Sequence, residues 1–256
     1  MKLVFSAKKW LFPLLQDSAT ALVYPTLCRV CEASIDSLDD GITCRHCWLE
    51  NENARLNFDH CEKCDASLPR LHLKPQARSC GKCESFAFTD ARACGIYKGS
   101  LREAVLALKR QPNIPEHLQK LILATFWQLP ETDKIELIVP VPLHPSRLRE
   151  RGYNQAELIA QVLARQVQLP IAKTALQRQQ ETERHRAGMN IEQRMKSLAG
   201  AFTIAAPRLI AERSILLVDD VMTTGSTAHE IATILLDSGA RKVQVLTVAR
   251  AMTVFG

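Results

Sequence analysis

Two aspartates and a short loop of hydroxyl residues lie next to each other in the last fifth of the chain. Asp219 and Asp220 directly follow the apolar run 215–218. Hydroxyl groups and the backbone N–H groups at the start of a helix are donors that bind phosphate. Carboxylates repel phosphate, but they accept hydrogen bonds from sugar hydroxyls or ligate Mg²⁺. The stretch therefore predicts a pocket for a phosphorylated sugar. The loop positions that would bind the phosphate are Thr223, Thr224, Gly225, Ser226 and Thr227.

The order of these residues resembles the phosphoribosyl pyrophosphate (PRPP) signature of the type I phosphoribosyltransferases. The resemblance implies that Asp219 and Asp220 hold the ribose hydroxyls, as binding and catalytic groups, and that the loop 223–227 binds the 5′-phosphate. It also implies that Mg²⁺ binds together with PRPP. The alternative that the residues leave open is an ordinary buried strand followed by a polar turn.

Eight of the nine cysteines form four Cys-x-x-Cys pairs between residues 28 and 83. Each pair presents two thiolates from one tight turn, and two pairs complete a tetrahedral Zn²⁺ site. The spacing therefore predicts two structural zinc ions, with redox-active dithiols as the alternative. Sequential pairing is the simplest arrangement, and interleaved pairing stays open. The predicted ligands are Cys28, Cys31, Cys44, Cys47, Cys61, Cys64, Cys80 and Cys83.

Positive charge is concentrated in one part of the chain. The 256 residues carry a net charge of +6, and residues 143–196 hold 10 Lys and Arg against 5 Asp and Glu. A basic band beside a phosphate pocket would bind pyrophosphate, single-stranded DNA or both, and a solvated helix face is the alternative. Arg147 and Arg149 lie in this band, and they are the candidates for balancing the charge of a pyrophosphate.

The start of the chain does not predict export. Pro13 and Asp17 interrupt its apolar run, which does not fit a signal peptide. The sequence also lacks a run of about 18 apolar residues, the length that spans a bilayer. We therefore expect a cytoplasmic protein without a transmembrane segment.

Alternating strands and helices must position the pocket. This alternation is typical of α/β proteins, in which a parallel sheet is covered on both faces and ligands bind at the carboxyl ends of its strands. A helix after Asn154 is expected to begin with a capping box to Glu157. The predicted strands cover 135–141, 201–204, 215–218 and 243–248, and the other predicted helices cover 101–108, 116–127 and 228–238.

The expected fold class is α/β, with a small cysteine-rich double zinc-ribbon module before a parallel-sheet domain like that of the type I phosphoribosyltransferases. The expected limits are 1–27 for a helical leader, 28–84 for the double zinc ribbon and 88–256 for the phosphoribosyltransferase-like domain. The cysteine-rich segment has few large apolar residues, so we expect it to need metal to fold.

The chain as a whole resembles the ComF family of competence and DNA-utilisation proteins. The resemblance rests on the cysteine pairs, the run Ile138–His144, the run Arg149–Gln155 and the Asp-Asp-x-x-Thr-Thr-Gly-Ser-Thr loop. One departure is that the family usually has a glycine soon after the lysine of an Ala-Leu-Lys helix end. Here Lys109 is followed by 110–113, which contain no glycine.

The resemblance implies a role in handling imported DNA, usually as single strands in the cytoplasm, alongside proteins of the DNA-uptake machinery used in natural transformation. Two hypotheses follow. The first is a DNA uptake or utilisation factor that binds PRPP or a nucleotide, and a pure PRPP sensor is its fallback. The second is a working phosphoribosyltransferase that transfers ribose 5-phosphate from PRPP to an unidentified acceptor. In the second, Asp219 and Asp220 would stabilise the positive charge developing at C1.

Overall fold

A computed structural model describes residues 26–68, 79–180 and 200–252 of the chain. The expected helical leader lies outside the described residues except for its last two positions. The helices are α1 Arg45–Arg55, α2 Gly99–Leu108, α3 Glu116–Phe126, α4 Pro145–Arg151, α5 Gln155–Val167, α6 Pro207–Ile210 and α7 Ser226–Asp237. The strands are β1 Asp59–His60, β2 Ser67–Leu68, β3 Asp90–Ile96, β4 Leu137–Pro140, β5 Leu176–Arg178, β6 Phe202–Ile204, β7 Ser214–Met222 and β8 Lys242–Arg250.

A four-stranded sheet in the order β3-β8-β7-β4 forms the centre of the fold. All three neighbouring pairs are parallel. The two long inner strands, β7 and β8, are in register from Ser214 opposite Lys242 to Met222 opposite Arg250. The predicted parallel sheet is therefore confirmed. One predicted strand is not part of it, because among the described residues β6 pairs only with β5, in a separate antiparallel hairpin.

Both faces of the sheet are covered, as a parallel sheet requires. Along β7, Leu216 and Val218 pack with side chains of α2, α3 and α5 on one face. Ile215 and Leu217 alternate with them and pack on the other face, against α7 and the β5–β6 hairpin. This alternation follows from the two-residue period of a strand, and burial on both faces explains why residues 215–218 of β7 are an unbroken apolar run.

The cysteine-rich segment is joined to the sheet rather than separate from it. Trp48 of α1 is fully buried in the same core as α2 and α3. Cys61, Cys64 and Cys83 belong to the opposite core, which they share with α7. The segment around the second group of cysteines thus covers part of one sheet face. Among the described residues, no helix is long and apolar enough to cross a membrane.

Candidate functional site

The acidic pair lies inside β7, which is longer than predicted and extends to Met222. Since successive side chains of a strand point to opposite faces, Asp219 and Asp220 are on different sides of the sheet. Asp219 lines a cavity of about 30 Å³ under the loop that follows β7, which is large enough for a water molecule. Asp220 points to the side on which α2 ends and α5 begins.

Burial perturbs the carboxyl group of Asp219. Its pKa lies well above the usual value, first because burial disfavours the charged form and second because the charge of Asp220 is close. The backbone N–H of Asp220 donates to Asp219 Oδ1 at 2.8 Å and partly opposes this effect. Asp219 is therefore a carboxyl group that exchanges its proton at a higher pH than an exposed aspartate does.

Asp220 is held by two side chains that belong to different helices. Lys109 Nζ, directly after α2, lies 3.7 Å from Asp220 Oδ2. Gln155 Nε2, at the first position of α5, donates to the same oxygen at 3.4 Å. The Oε1 atom of Gln155 is buried and has no hydrogen-bond partner among the described residues. The site thus contains an oriented carboxylate next to an unused acceptor, an arrangement that suits the hydroxyl groups of a sugar.

The loop between β7 and α7 is a tight turn with several hydroxyl side chains. Its turn is made at Gly225, whose φ of +88° favours glycine. Thr224 Oγ1 accepts from the Ser226 N–H at 3.4 Å and lies 2.9 Å from Ser226 Oγ. Helix α7 starts directly after this turn, and its N-cap residue, Gly225, provides no side-chain cap. Its positive end and the hydroxyls of the loop therefore meet at the carboxyl edge of the sheet.

The underside of the loop rests on the segment that follows the last cysteine pair. A Cβ atom on Gly225 would come within 2.7 Å of the Phe86 ring. The same ring stacks on His229 of α7 with centroids 5.6 Å apart. The backbone N–H of Ala87 donates to His229 Nδ1 at 3.0 Å. Burial lowers the pKa of His229, which keeps its Nδ1 available as an acceptor.

The two predicted arginines lie near this edge but are not joined to the loop. Both are on α4, which begins five residues after the last residue of β4. Arg147 is half-buried and Arg149 is exposed. Neither guanidinium forms an ion pair with the part of the chain that the structure describes. Their proposed role in binding pyrophosphate therefore stays a prediction.

The cysteine pairs combine sequentially into two clusters, as the simplest arrangement predicted. In each cluster the four Sγ atoms lie within 4.8 Å of one another. The first cluster contains Cys28, Cys31, Cys44 and Cys47, and the second contains Cys61, Cys64, Cys80 and Cys83.

The geometry of both clusters fits a tetrahedral Zn²⁺ ion. A Zn–S bond of about 2.3 Å places neighbouring sulfurs about 3.8 Å apart. The observed Sγ–Sγ distances are 3.8 Å for Cys28 and Cys47 and 3.5 Å for Cys61 and Cys83. These distances exclude disulfides, whose sulfurs lie about 2.05 Å apart.

The charges of the second cluster are compatible with a bound cation. A hydrogen bond from Cys64 lowers the pKa of Cys61 to about 4, in spite of burial. Burial raises the pKa of Cys83 to about 12. One thiolate is thus tolerated and its neighbours are kept protonated, since like charges repel in a buried site. Only a bound cation allows all four sulfurs to be thiolates together.

Sequence reasoning overlooked several residues that the structure brings to the site. Gln155 stands in one of the quoted motifs, and Lys109 ends an apolar helix pattern, so both could have been considered. Phe86 and His229 carry no local signal, because their contact joins segments far apart in the chain. Arg250 also lacks one. It is the last residue of β8, and it donates to the carbonyl oxygens of Met222 and Thr223 in the loop.

The fold defines a domain like that of the phosphoribosyltransferases. A family model described as a phosphoribosyl transferase domain matches residues 149–253, which include β7, the loop and α7. This match and the two cysteine clusters confirm the fold class predicted from the sequence.

Curated relatives identify the family more narrowly. Competence protein F of Haemophilus influenzae is 30% identical over 232 residues, which are 88% of this chain and 96% of that protein. DNA utilization protein YhgH of Escherichia coli O6:H1 is 30% identical over 238 residues, which are 90% of this chain and 100% of that protein. The chain therefore belongs to the ComF family, as its motifs predicted.

Among solved structures, a glutamine PRPP amidotransferase of B. subtilis, complexed with ADP and GMP, is 17% identical. The match covers 54% of this chain and 28% of that chain with a TM-score of 0.36. This likeness is too low to carry an argument about the site.

Proposed function

We propose that this protein binds PRPP, or a nucleotide with a 5′-phosphate, in the loop 223–227 and acts in the uptake or utilisation of DNA. The main support for the proposal comes from the connection between strand β7 and helix α7. An acidic pair, a glycine turn and four hydroxyl residues lie together there at the N-terminus of a helix. The names of the relatives, which refer to competence and DNA utilization, support the biological part.

Different groups of the protein would bind different parts of the ligand. The N–H groups at the start of α7 and the hydroxyl of Thr224 would donate to the 5′-phosphate, where the helix dipole favours a negative charge. Asp220 would accept from a ribose hydroxyl, since Lys109 and Gln155 already orient its carboxylate. Asp219 and Asp220 are also the groups that would hold Mg²⁺ near the ribose, and the ion would offset the charge of the pyrophosphate.

Single-stranded DNA is the second part of the proposal. Arg147 and Arg151 are four residues apart on α4, so they lie on the same face of that helix. These two arginines form a cationic surface near the carboxyl edge of the sheet, and Arg149, two residues from each, adds positive charge on another face of α4. Such a surface would bind DNA phosphates without sequence preference. A cytoplasmic location and contacts with DNA-uptake proteins belong to the same proposal, and clusters of free thiols fit a reducing compartment.

Calorimetric titration of PRPP with Mg²⁺ into the zinc-loaded protein tests the ligand. We expect Thr224→Ala to weaken binding by on the order of 1.5–3 kcal/mol, because one donor to a charged group is lost. Asp220→Asn should also weaken it, since a charge-assisted bond becomes a neutral one. Thr233→Ala is the matched control. Its hydroxyl lies on α7, away from the loop, and donates to the His229 carbonyl at 3.0 Å. No binding to the wild type at millimolar PRPP would exclude the proposed ligand.

An active phosphoribosyltransferase is the alternative function. The observation that favours it is the placement of Asp219 and Asp220 around the end of β7, where carboxylates could stabilise positive charge at the ribose C1. A nitrogen nucleophile would form the new bond to C1 while the bond to pyrophosphate breaks. Pyrophosphate release from PRPP and Mg²⁺ in the presence of a panel of bases distinguishes the two functions. Release that needs both a base and Asp219 supports catalysis, and binding without release supports a ligand role.

A further inference from the structure

Arg250 is a buried cation at the centre of the carboxyl edge of the sheet. It is 4% exposed and pairs in register with Met222 of β7 on one side and Ile96 of β3 on the other. Burying a guanidinium is costly unless its N–H groups are bonded. Within residues 26–68, 79–180 and 200–252, this guanidinium has no carboxylate partner. Its acceptors are backbone carbonyl groups, which indicates that it holds backbone in place.

The carbonyl groups that Arg250 binds belong to two distant segments. Its Nη1 atom donates to the Met222 oxygen at 3.0 Å and to the Thr223 oxygen. Its Nε atom donates to the carbonyl oxygen of Cys64 at 3.2 Å. The Met222 oxygen accepts in addition from the Ala251 N–H at 2.9 Å. Arg250 is therefore a bridge between the loop 223–227 and a cysteine of the second cluster.

This bridge sets the direction of the loop's N–H groups. In a trans peptide the C=O and the following N–H point in opposite directions. Because the oxygens of Met222 and Thr223 point at Arg250, the N–H groups of Thr223 and Thr224 point away from it. Arg250 thus fixes the orientation of the loop donors before any ligand arrives, which lowers the cost of binding an anion.

Two further contacts connect the same cluster to the loop. Phe86, three residues after Cys83, fills the space under Gly225. Ala87 donates to His229 on the first turns of α7. The first cluster, in contrast, packs its own small group of apolar side chains with Ile35.

We propose that Arg250 is a positioning residue of the phosphate loop, which makes phosphate binding depend on the second cysteine cluster more than on the first. The inference rests on the proposed function. Four thiolates around one divalent cation carry a net negative charge, and the guanidinium bound to Cys64 offsets part of it. Loss of the ion would allow the backbone at Cys64 to move, and the hydrogen bond from Arg250 to the Cys64 carbonyl would be lost. The loop would then lose its fixed donors although its own sequence is unchanged.

The first test measures PRPP affinity by calorimetry, with zinc content and thermal melting measured on the same samples. Arg250→Met should lower the affinity roughly 10-fold, a size typical of coupling between two sites. Arg250→Lys should recover part of it, because an ammonium still binds the Thr223 carbonyl, whereas a residue needed only for packing would be replaced equally well by Met. Arg241→Met, directly before the opposite end of β8, is the control, and it should bind as the wild type does. Equal affinity of Arg250→Met and wild type would overturn the proposal.

The second test compares the same change in the two clusters. Cys80→Ser and Cys31→Ser should each remove about one zinc ion. The loss of PRPP affinity should be clearly larger for Cys80→Ser, and adding Arg250→Met to it should cause little further loss, since both act through one bridge. Equal losses in the two cysteine variants would refute the coupling. If the wild type does not bind PRPP, the proposed function fails. The coupling is then judged from the amide resonances of 223–226, which must shift in Cys80→Ser and Arg250→Met more than in Cys31→Ser.

Discussion

Replacing Gly225 by alanine tests how tightly the loop 223–227 packs on the cysteine-rich segment. The new Cβ would meet two costs. The first is the backbone, because φ is +88° and an alanine in this left-handed region costs about 1–2 kcal/mol. The second is the Phe86 ring, 2.7 Å from the Cβ position and itself only 5% exposed. Because a buried ring has little room to move, crowding of this kind costs a further ~1–3 kcal/mol.

Gly152 provides a matched control for the backbone term. Its φ and ψ are 81° and −11°, against 88° and −3° at Gly225. A Cβ at Gly152 would meet no atom within 4 Å. Alanine also lowers the conformational entropy of the unfolded chain, which stabilises the folded state of both variants by about 0.4–1 kcal/mol. We therefore expect a loss of ~0.5–1 kcal/mol for Gly152→Ala and of ~2–4 kcal/mol for Gly225→Ala. The difference between them measures the contact with Phe86.

The assay is urea unfolding of the zinc-loaded protein, followed by circular dichroism, with the midpoint shift converted at a common m-value. Phe86→Leu in the Gly225→Ala background should cost less than it does in the wild type, since the smaller side chain relieves the clash. Equal destabilisation by the two alanine substitutions would refute this reasoning. It would mean that the loop lifts off Phe86 easily and is not seated on it.

Three further predictions concern metal, pH and DNA. The purified protein should contain two zinc ions per chain by metal analysis, and Cys28→Ser or Cys61→Ser should each remove about one. Asp219→Asn should raise the melting temperature at neutral pH, because the raised pKa makes the wild type lose stability as pH rises from about 3.9 through the folded value. The difference in melting temperature between Asp219→Asn and the wild type should shrink as pH falls. A difference that does not change with pH would contradict the role of the raised pKa. Arg147→Ala should reduce the salt slope of single-stranded DNA binding by roughly 0.7 if that side chain contacts a phosphate.

The parts of the site that could be predicted are those encoded in short stretches. The loop after β7 combines a glycine with positive φ, hydroxyl residues and the start of a helix within a few positions, so its place in the fold follows from local patterns. Asn154 is confirmed as the N-cap of α5, since its Oδ1 accepts from the Ala156 N–H at 3.1 Å. The predicted capping box is not formed, because Glu157 pairs instead with Lys173 and accepts from Gln161.

The parts that could not be predicted depend on contacts between distant segments. The hydrogen bond from Ala87 to His229 spans 142 positions, and that from Arg250 to Cys64 spans 186. No local period encodes such pairs. Strand β3 escaped prediction for another reason. Its sequence contains three small residues of low strand propensity, and it is a strand because it pairs with β8 along its length.

The acidic pair shows how a local pattern can be identified and still be misread in its geometry. The sequence presents Asp219 and Asp220 as equivalent groups that follow a strand, whereas β7 continues past them and turns them to opposite faces. Asp220 gains a cation and an amide that orient it, and Asp219 gains burial that favours its protonated form. A ligand that contacts both must therefore reach around the end of β7, where the loop begins. The proposed site therefore needs the acidic pair and the loop 223–227 next to each other. The end of this strand is the place in the fold where both faces and a helix N-terminus are within reach of one small molecule.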